Sequence, residues 1–374
     1  MRILHVAAIE AGRPSGPATS VPLQMRAELG AGHRVGFLQS YGGAPAALPP
    51  GVTVLGGWSP TRDLRSYCER AAFWPDLVHF HSVYLVRHAV LARAARRLGL
   101  PTISSPRGGL MPRALARSAL KKRVGDALFF DAFSRGLTLH RALCEAERAA
   151  CVARYPGVPA RVAGNPVDLA AFPRVDPPRA DQPATIGYLG RLDIEYKGLD
   201  LLVAGLGRAV SEHGADLRLR ICGPDDRGDA RRLERLIALR GLTSRVELVP
   251  PAEGVDRLRF LESLDAFVHP SRSEGVPMGV LEAMAMARPV VVTPETNLSD
   301  VVARRGAGWV VAGSVASVAD ALAAVARSGA DLPARGAAAR RAVEEEFTLD
   351  AVGAQLTRAY DDAMRMRRAD ARAA

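Results

Sequence analysis

The stretch DAFVHPSRSEGVPMGVLEAMAMARPVVVT, residues 265–293, reads as strand, loop, helix and strand in one run. Residues 266–269 are apolar and β-prone. Ser271, Arg272, Ser273, Glu274 and Gly275 make a polar loop. Pro277 suits a first helical turn, where a missing N–H does no harm, and the helical pattern continues to Ala287. Residues 289–293 are again apolar and β-branched. Two strands joined through a helix lie parallel, because a crossover is what connects neighbouring parallel strands.

The same alternation extends outward in both directions. In the first half, strands are expected at 3–9, 34–38, 77–80 and 102–104. Helical i, i+4 patterns fall between them, such as Val21, Met25, Leu29 and Val90, Ala94, Leu98. Past residue 183 the alternation restarts, with strands at 185–189, 217–222, 246–249, 266–269, 289–293 and 309–311. Helices are expected there at 199–210, 229–239, 256–262, 277–287 and 318–326. The proline-rich PRVDPPRADQP at 173–183 is linker-like. A chain of 374 residues is longer than the roughly 250–300 at which single cores stop growing. The expected organisation is therefore α/β: two doubly wound parallel domains, 1–168 and 184–348, with a linker at 169–183. Leu349, Val352, Leu356, Tyr360, Ala363 and Met364 share one apolar face. They predict a closing helix within 349–374, with a frayed tail from 365. Ligands in such sheets sit at the carboxyl ends of the strands, so the cleft between two such domains is the expected site.

Composition excludes several classes. No apolar run reaches the roughly 20 residues of a membrane span. The apolar start runs straight into Glu10 and a Gly/Pro loop, which reads as a buried strand and not a signal peptide. Four cysteines without a CxxC pair argue against zinc or a disulfide framework and fit a reducing cytosol. The formal net charge of +11 is uneven, with the excess of basic residues in the first half. Between Asp76 and Asp126 no acidic residue occurs. That interval holds Arg87, Arg93, Arg96, Arg97, Arg107, Arg113, Arg117, Lys121, Lys122 and Arg123. Such a patch attracts anionic membranes or polyanions, or reflects an arginine-rich composition with a solvated face. Aromatic content of 5% and the lack of a recognition motif argue against nucleic acid.

The loop and helix of the opening stretch hold two carboxylates eight positions apart, Glu274 and Glu282. The N–H groups at a helix start favour an anion such as phosphate, and Gly275 lets backbone approach a ligand closely. Glu282 lies about 7–8 Å further along the helix axis. Carboxylates repel a phosphate, so they are expected to accept from hydroxyls on either side of it. A sugar at one end of a diphosphate and a ribose at the other would match. On spacing alone, Glu274 as a helix-dipole partner and Glu282 as a solvated helix residue stay open. In IGYLGRLDIEYKGLDLL (186–202), Arg191 and Lys197 stand between a strand and a helix. Two cations there can neutralise a diphosphate leaving group without a metal. Lys197 is one of only three lysines among 50 Lys+Arg residues, which points to a need for a compact charge; a surface-loop lysine is the plain alternative. Near the amino terminus, EAGRPSGPATSVPL (10–23) offers Gly12 and Gly16 for a tight loop, Thr19 or Ser20 as a helix cap, and Pro22 for a first turn. It reads as a phosphate-approach loop or as a simple strand–helix connection.

Taken together, these residues resemble a family. The string from Glu274 to Glu282 resembles the E-x7-E signature of retaining GT-B glycosyltransferases of family 4. GRLDIEYKGLDLL resembles that family's arginine/lysine loop. GPATSVPLQMRAELGAGHRV (16–35), PDLVHFHSVY (75–84), LPTISSPRGGLMPRAL (100–115) and GNPVDLAAF (164–172) are similar in the same order. The SPRGGL variant looks most like enzymes of exopolysaccharide or other envelope glycan assembly. The resemblance implies a GT-B fold, two Rossmann-like domains facing a central cleft, and retaining transfer from a nucleotide-sugar donor to a glycan or lipid-linked acceptor. It implies no cofactor and no metal. Glu274 would contact the donor sugar and Glu282 the ribose. Arg191 and Lys197 would stabilise the departing diphosphate, with backbone around Gly275, Val276, Pro277 and Met278 and near Gly16. Backbone at Gly223, Pro224 and 249–251 would meet the base. Departing phosphate would take the acceptor proton directly.

Two departures matter. Many relatives carry a histidine after the strand at 102–104, where this chain has Arg107, a candidate for the donor phosphate or an acidic acceptor. His81 matches a histidine common after the preceding strand and is a candidate for the acceptor side. A cytoplasmic enzyme, with Arg113, Arg117, Lys121, Lys122 and Arg123 in peripheral contact with an anionic membrane, is the expected setting. Three alternatives bear weighing. The E-x7-E pattern argues against an epimerase, and the lack of a lysine suited to a pyridoxal motif argues against a phosphorylase. A basic membrane-surface or polyanion-binding protein on the same scaffold, without transfer activity, is the third.

Overall fold

The computed structural model describes residues 1–12, 15–173 and 183–373. The linker-like stretch lies, but for its two ends, outside these residues, as do Arg13 and Pro14 of the first loop. The chain forms two compact units. One is Met1–Pro166 together with the residues from Phe347 on, and the other is Val167–Glu346.

The first unit is built on seven strands: β1 Arg2–Ala7, β2 Arg34–Gln39, β3 Thr53–Gly57, β4 Leu77–His81, β5 Thr102–Ser105, β6 Leu139–Ala142 and β7 Ala160–Val162. Their order is β3-β2-β1-β4-β5-β6-β7, and every pairing is parallel. The second unit has six: β8 Ala184–Leu189, β9 Leu217–Cys222, β10 Val246–Val249, β11 Ala266–His269, β12 Val290–Val292 and β13 Gly308–Val310. Their order is β10-β9-β8-β11-β12-β13, again parallel throughout. Both are doubly wound, Rossmann-like sheets. In each, the order reverses beside the unit's first strand, between β1 and β4 and between β8 and β11. These are the switch points where loops diverge and leave a crevice. Parallel strands covered on both faces read as unbroken apolar runs, and β4 and β11 are buried at every position.

Three strands of the first unit, β3, β6 and β7, break the expected pattern. Edge strand β3 is half exposed and ends in two glycines. Strand β6 buries His140 and Arg141, so its burial does not register as hydrophobicity. Strand β7 has only three residues. Helix Leu332–Glu346, rich in alanine and arginine, was likewise not expected.

Helix Gly16–Gly30 starts earlier than the sequence suggests. Its cap is Ser15, in extended conformation and accepting from the Ala18 N–H at 3.2 Å, with a proline in the first turn. Ser20 lies inside the helix and donates to the Gly16 carbonyl at 2.7 Å, and Pro22 is also interior. The final helix, Leu349–Ala373, runs helical past residue 365, where a frayed tail was expected. It packs on the Gly16–Gly30 helix of the first unit, where a Cβ on Gly353 would come within 2.8 Å of the Ala27 carbonyl. Its Val352, Leu356, Ala359, Tyr360 and Ala363 share a core with Ile3, Leu77, Ile103 and Leu139.

Candidate functional site

The second unit gathers its candidates at the β8–β11 switch point. Close backbone contacts do the gathering. A Cβ on Gly223 would lie 1.9 Å from the Gly190 carbonyl oxygen, so the loops after β8 and β9 touch. The Leu192 N–H donates to the Pro224 carbonyl at 2.9 Å, which fixes Gly223 and Pro224 beside Arg191. Arg191 itself is exposed, and its carbonyl accepts from the Tyr188 hydroxyl at 3.0 Å. Asp193 caps the single turn Ile194–Lys197 by accepting from the Tyr196 N–H. Gly198 follows at φ +68°, and a Cβ there would meet the Pro270 carbonyl at 2.0 Å. Lys197 is thereby laid against the loop after β11. Helix Met278–Ala285 begins one residue after Pro277, which acts as its N-cap and not as its first turn. Gly279 lets the helix start approach β8, since a Cβ would sit 2.7 Å from the Leu189 carbonyl.

The charges meet on Glu274. Lys197 Nζ donates to Glu274 Oε1 at 2.5 Å, and His269 Nε2 donates to the same oxygen at 2.8 Å. Among the described residues no donor reaches Oε2, which leaves one carboxylate oxygen for a ligand hydroxyl. Burial opposes ionisation of Glu274, but Lys197 and His269 outweigh it and hold the carboxyl at about 2. Burial likewise lowers His269, against the pull of Glu274. The ring is therefore neutral with its proton on Nε2, and its Nδ1 is buried without a partner. The loop backbone is fixed by Asn297, at φ +60°, whose side-chain amide donates to the Glu274 and Gly275 carbonyls at 2.9 and 2.7 Å. Val276 and Met278 are nearly buried.

Glu282 is not a solvated helix residue. Its side chain is 6% exposed and pairs through Oε2 with Arg257 on helix Gly254–Glu262, Nε at 2.7 Å. Burial raises its pKa, with Arg257 pulling the other way. Arg257, His269 and Asn297 were not expected from sequence. The His269–Glu274 spacing of five residues was the one local signal that could have been read.

The first unit places His81 at the end of β4 and Arg107 in the loop after β5, in direct contact. Arg107 adopts φ +54°. Its Nε and Nη2 donate to His81 Nδ1 at 3.3 and 3.0 Å, Nη2 also to Gln24 Oε1 at 3.2 Å, and Nη1 to Ser20 Oγ at 2.7 Å and Asn165 Oδ1 at 3.4 Å. Through Ser20 the contact reaches Gly16, whose surroundings are open. Both ring nitrogens of His81 are engaged, Nδ1 by Arg107 and Nε2 by His5 at 2.8 Å. As seen here, neither residue presents an unused polar atom to an anion or acceptor; a ligand would have to displace these partners. Burial, then Arg141, lowers Arg107 to about 9. Beneath lie buried Glu28, His79, Arg141 and Tyr360. One ring nitrogen from each of His5, His79 and His81 lies within 4.8 Å of the other two, a grouping that could hold a metal ion. Each of those nitrogens already has a hydrogen-bond partner, and two guanidiniums adjoin, which suits proton placement better than a cation.

Of the basic stretch, Arg113, Arg117, Lys121 and Arg123 are exposed. Lys122 departs from the expected face. Its ammonium turns back to the Ala114 carbonyl and over the Tyr84 ring, and burial lowers its pKa. Leu120, Val124, Leu128 and Phe129 are exposed alongside, Leu120 by 76%.

Comparison with known proteins follows this division. Residues 13–168 match the family described as Glycosyl transferase 4-like domain, and residues 183–328 match Glycosyl transferases group 1. The amylovoran biosynthesis glycosyltransferase AmsK of Erwinia amylovora is 30% identical over 173 residues, covering 44% of this chain and 42% of AmsK. A D-inositol 3-phosphate glycosyltransferase of Frankia alni is 29% identical over 307 residues, covering 72% and 74%. The match spans less than half of AmsK and of the putative colanic acid biosynthesis glycosyltransferase WcaL of Escherichia coli. Among solved structures, HepE of Anabaena in complex with UDP and glucose superposes with TM-score 0.75 at 17% identity, over 96% of this chain and 99% of HepE. WaaG, a lipopolysaccharide biosynthesis glycosyltransferase, gives 0.68 at 16%, over 96% and 98%. At such identity these two speak for the fold.

Proposed function

We propose, for a chain of GT-B fold that is related to the group 1 glycosyl transferases of family 4 and to enzymes of envelope and exopolysaccharide assembly, that it moves a sugar from a nucleotide-sugar donor to a glycan or lipid-linked acceptor with retention of configuration. The observation that carries this reading is the meeting of Lys197, His269 and Glu274 Oε1 beside Arg191 and a helix start, with Glu274 Oε2 open. Lys197 and Arg191 supply positive charge for a departing diphosphate. The open carboxylate oxygen accepts from a donor-sugar hydroxyl. First-turn N–H groups of helix Met278–Ala285 lack intrahelical partners and complete the anion site. Glu282, oriented by Arg257, takes the ribose, and the Gly223–Pro224 backbone meets the base. Two cations and a helix start can carry the diphosphate charge, so the reading requires no metal.

A thermal-shift panel of UDP, GDP, ADP, TDP and CDP, each with and without Mg²⁺, tests it. A ligand bound only by the folded protein at a hundredfold excess over Kd adds about 2.7 kcal/mol of apparent stability. One nucleotide shifting the midpoint equally in both conditions is expected, and names the base. A shift that needs Mg²⁺ would overturn the metal-free mechanism. No shift with any nucleotide would favour the binding protein without transfer activity.

The acceptor side of this reading includes peripheral contact with an anionic membrane from the cytoplasm. No helix among the described residues is long and apolar enough to cross one. Exposed Leu120, Val124, Leu128 and Phe129 lie next to exposed Arg113, Arg117, Lys121 and Arg123, the combination that seats in a headgroup layer. Flotation with vesicles that contain anionic lipid, and none with neutral vesicles, is the expected result. Equal behaviour with both would remove the membrane from the proposal.

A further inference from the structure

We infer that Glu28 is a positioning residue, whose carboxylate sets the proton placement in His5 and His81 and through them holds Arg107 against the start of helix Gly16–Gly30. The functional end of this inference rests on the proposed transfer reaction, for which Gly16 and Arg107 are candidate substrate-binding residues. Its structural end does not.

The chain of hydrogen bonds has only one consistent direction. A guanidinium only donates, and two of its N–H groups converge on His81 Nδ1. That nitrogen therefore carries a lone pair. His81 is buried, and burial, followed by His79 and Arg107, pushes its pKa well down, so the ring is neutral and its proton is on Nε2. Nε2 faces His5 Nδ1 at 2.8 Å, which must accept. The His5 proton is then on Nε2, which donates to Glu28 Oε2 at 2.6 Å. An ionised carboxylate is acceptor-only, so it ends the chain with the polarity that Arg107 needs. Glu28 is kept in that form. Burial works against its ionisation, but the hydrogen bonds it accepts from His5, Tyr360 and Gln24 favour the carboxylate, and its pKa lies below the ordinary value. Its other oxygen takes the Tyr360 hydroxyl at 2.5 Å and the Gln24 amide at 3.0 Å.

A group at position 28 that could donate would permit the opposite polarity. His5 would then carry its proton on Nδ1, and His81 would carry its own on Nδ1, facing two arginine N–H groups. Arg107 would have to leave. Its departure would also release Ser20, which ties to the Gly16 carbonyl in the first turn.

The test uses the full chain with ¹⁵N-labelled histidine, reading ring tautomers from long-range proton–nitrogen correlations. In the wild type, His5 and His81 are expected to be protonated on Nε2. In Glu28→Gln, protonation of both is expected to move to Nδ1. A wild-type His81 protonated on Nδ1 would overturn the inference without any variant, so a Glu28→Gln that fails to fold leaves it testable. Unchanged tautomers in a folded Glu28→Gln would also overturn it. Tyr360→Phe removes a donor to Oε1 and that hydroxyl's contacts with Gln24 and His79, but no bond to His5 or His81, and should leave the tautomers of both in place. For the reaction, Glu28→Gln is expected to lower kcat by up to about 100-fold, the scale of a small misplacement. Adding Arg107→Ala should then cause no further loss, because coupled residues are not additive. Fully additive losses would overturn action through Arg107. The tautomer measurement needs no turnover, so failure of the transferase reading would not be mistaken for failure of the hydrogen-bond chain.

Discussion

The two sheets share one winding, and each ends the strand beside its switch point on a histidine, yet the two histidines do opposite work. His81 accepts from a cation, Arg107, and passes its own proton inward to His5. His269 donates to an anion, Glu274. The strand order supplies the location in both cases, and the loop that meets the histidine decides the sign: the one after β5 in the first unit, the one after β11 in the second. In the first unit the loop brings Arg107 down onto the sheet and closes the polar side-chain atoms of Arg107 and His81 on protein partners. In the second the loop after β11 leaves Glu274 Oε2 without a donor among the described residues, and Arg191, after β8, is exposed. One edge binds its histidine and arginine to each other, and the other keeps a charged carboxylate with one oxygen open.

The most drastic way to break the comparison is to part the loops of the second edge. Gly223→Ala would put a methyl group 1.9 Å from the Gly190 carbonyl. A backbone clash of this kind belongs with the exceptional losses, more than about 4 kcal/mol, and chemical denaturation should show the second unit unfolding first. Lys197→Ala comes next. His269 still satisfies Glu274 Oε1, so the fold should hold while sugar transfer falls by about 100–1000-fold, as when one electrostatic donor is lost from a reaction site. Wild-type turnover in that variant would remove the lysine from the mechanism.

Acid sharpens the contrast. Histidines held below their ordinary 6.5, His79 and His81, contribute stability that is full above that pH and is lost as pH falls below it. Glu274, lowered from 4.5 to about 2, contributes stability that is full above 4.5 and lost only as pH falls toward 2. The second unit holds one buried histidine of this kind, His269, against His79, His81, His88 and His140 in the first, so hydrogen exchange followed by mass spectrometry should show the larger loss of protection between pH 6.5 and 4.5 in the first unit. Equal losses in the two units would remove the contrast. Smallest is Glu282→Ala, expected to weaken nucleotide binding by about tenfold, near 1.4 kcal/mol, by calorimetry. Unchanged affinity would end its assignment to the ribose.

How far this contrast could be read from sequence differs between the units. The six strands of the second unit fall within two residues of expectation at each end, because their apolar residues run together or, in β9, alternate with exposed or half-exposed arginines, and turns with glycine or proline separate most of them. In the first unit, β6 escapes because it buries Arg141 and His140, charge and polarity that no hydropathy pattern counts as interior. The candidate site divides the same way. Glu274, Glu282, Arg191 and Lys197 were legible as residue types at spacings suited to a diphosphate. Their partners were not. Arg257 lies 25 positions from Glu282, Asn297 lies 23 from Glu274, and Tyr360 lies 332 from Glu28. Such pairs are made by the winding of the sheet, and nothing local announces them. The exhaustion of Arg107's donors could not be read at all, since it depends on four acceptors from three separate parts of the chain.

The last helix has a consequence for synthesis. The first unit leaves the ribosome first but lacks the segment that covers Ile3, Leu77, Ile103 and Leu139. Residues 167–346, the whole second unit, emerge before that segment does. At about 5–20 residues per second the nascent sheet waits on the order of ten seconds or more with an apolar face uncovered. The domain begun first is thus finished last, and during that interval it is a natural client for a chaperone.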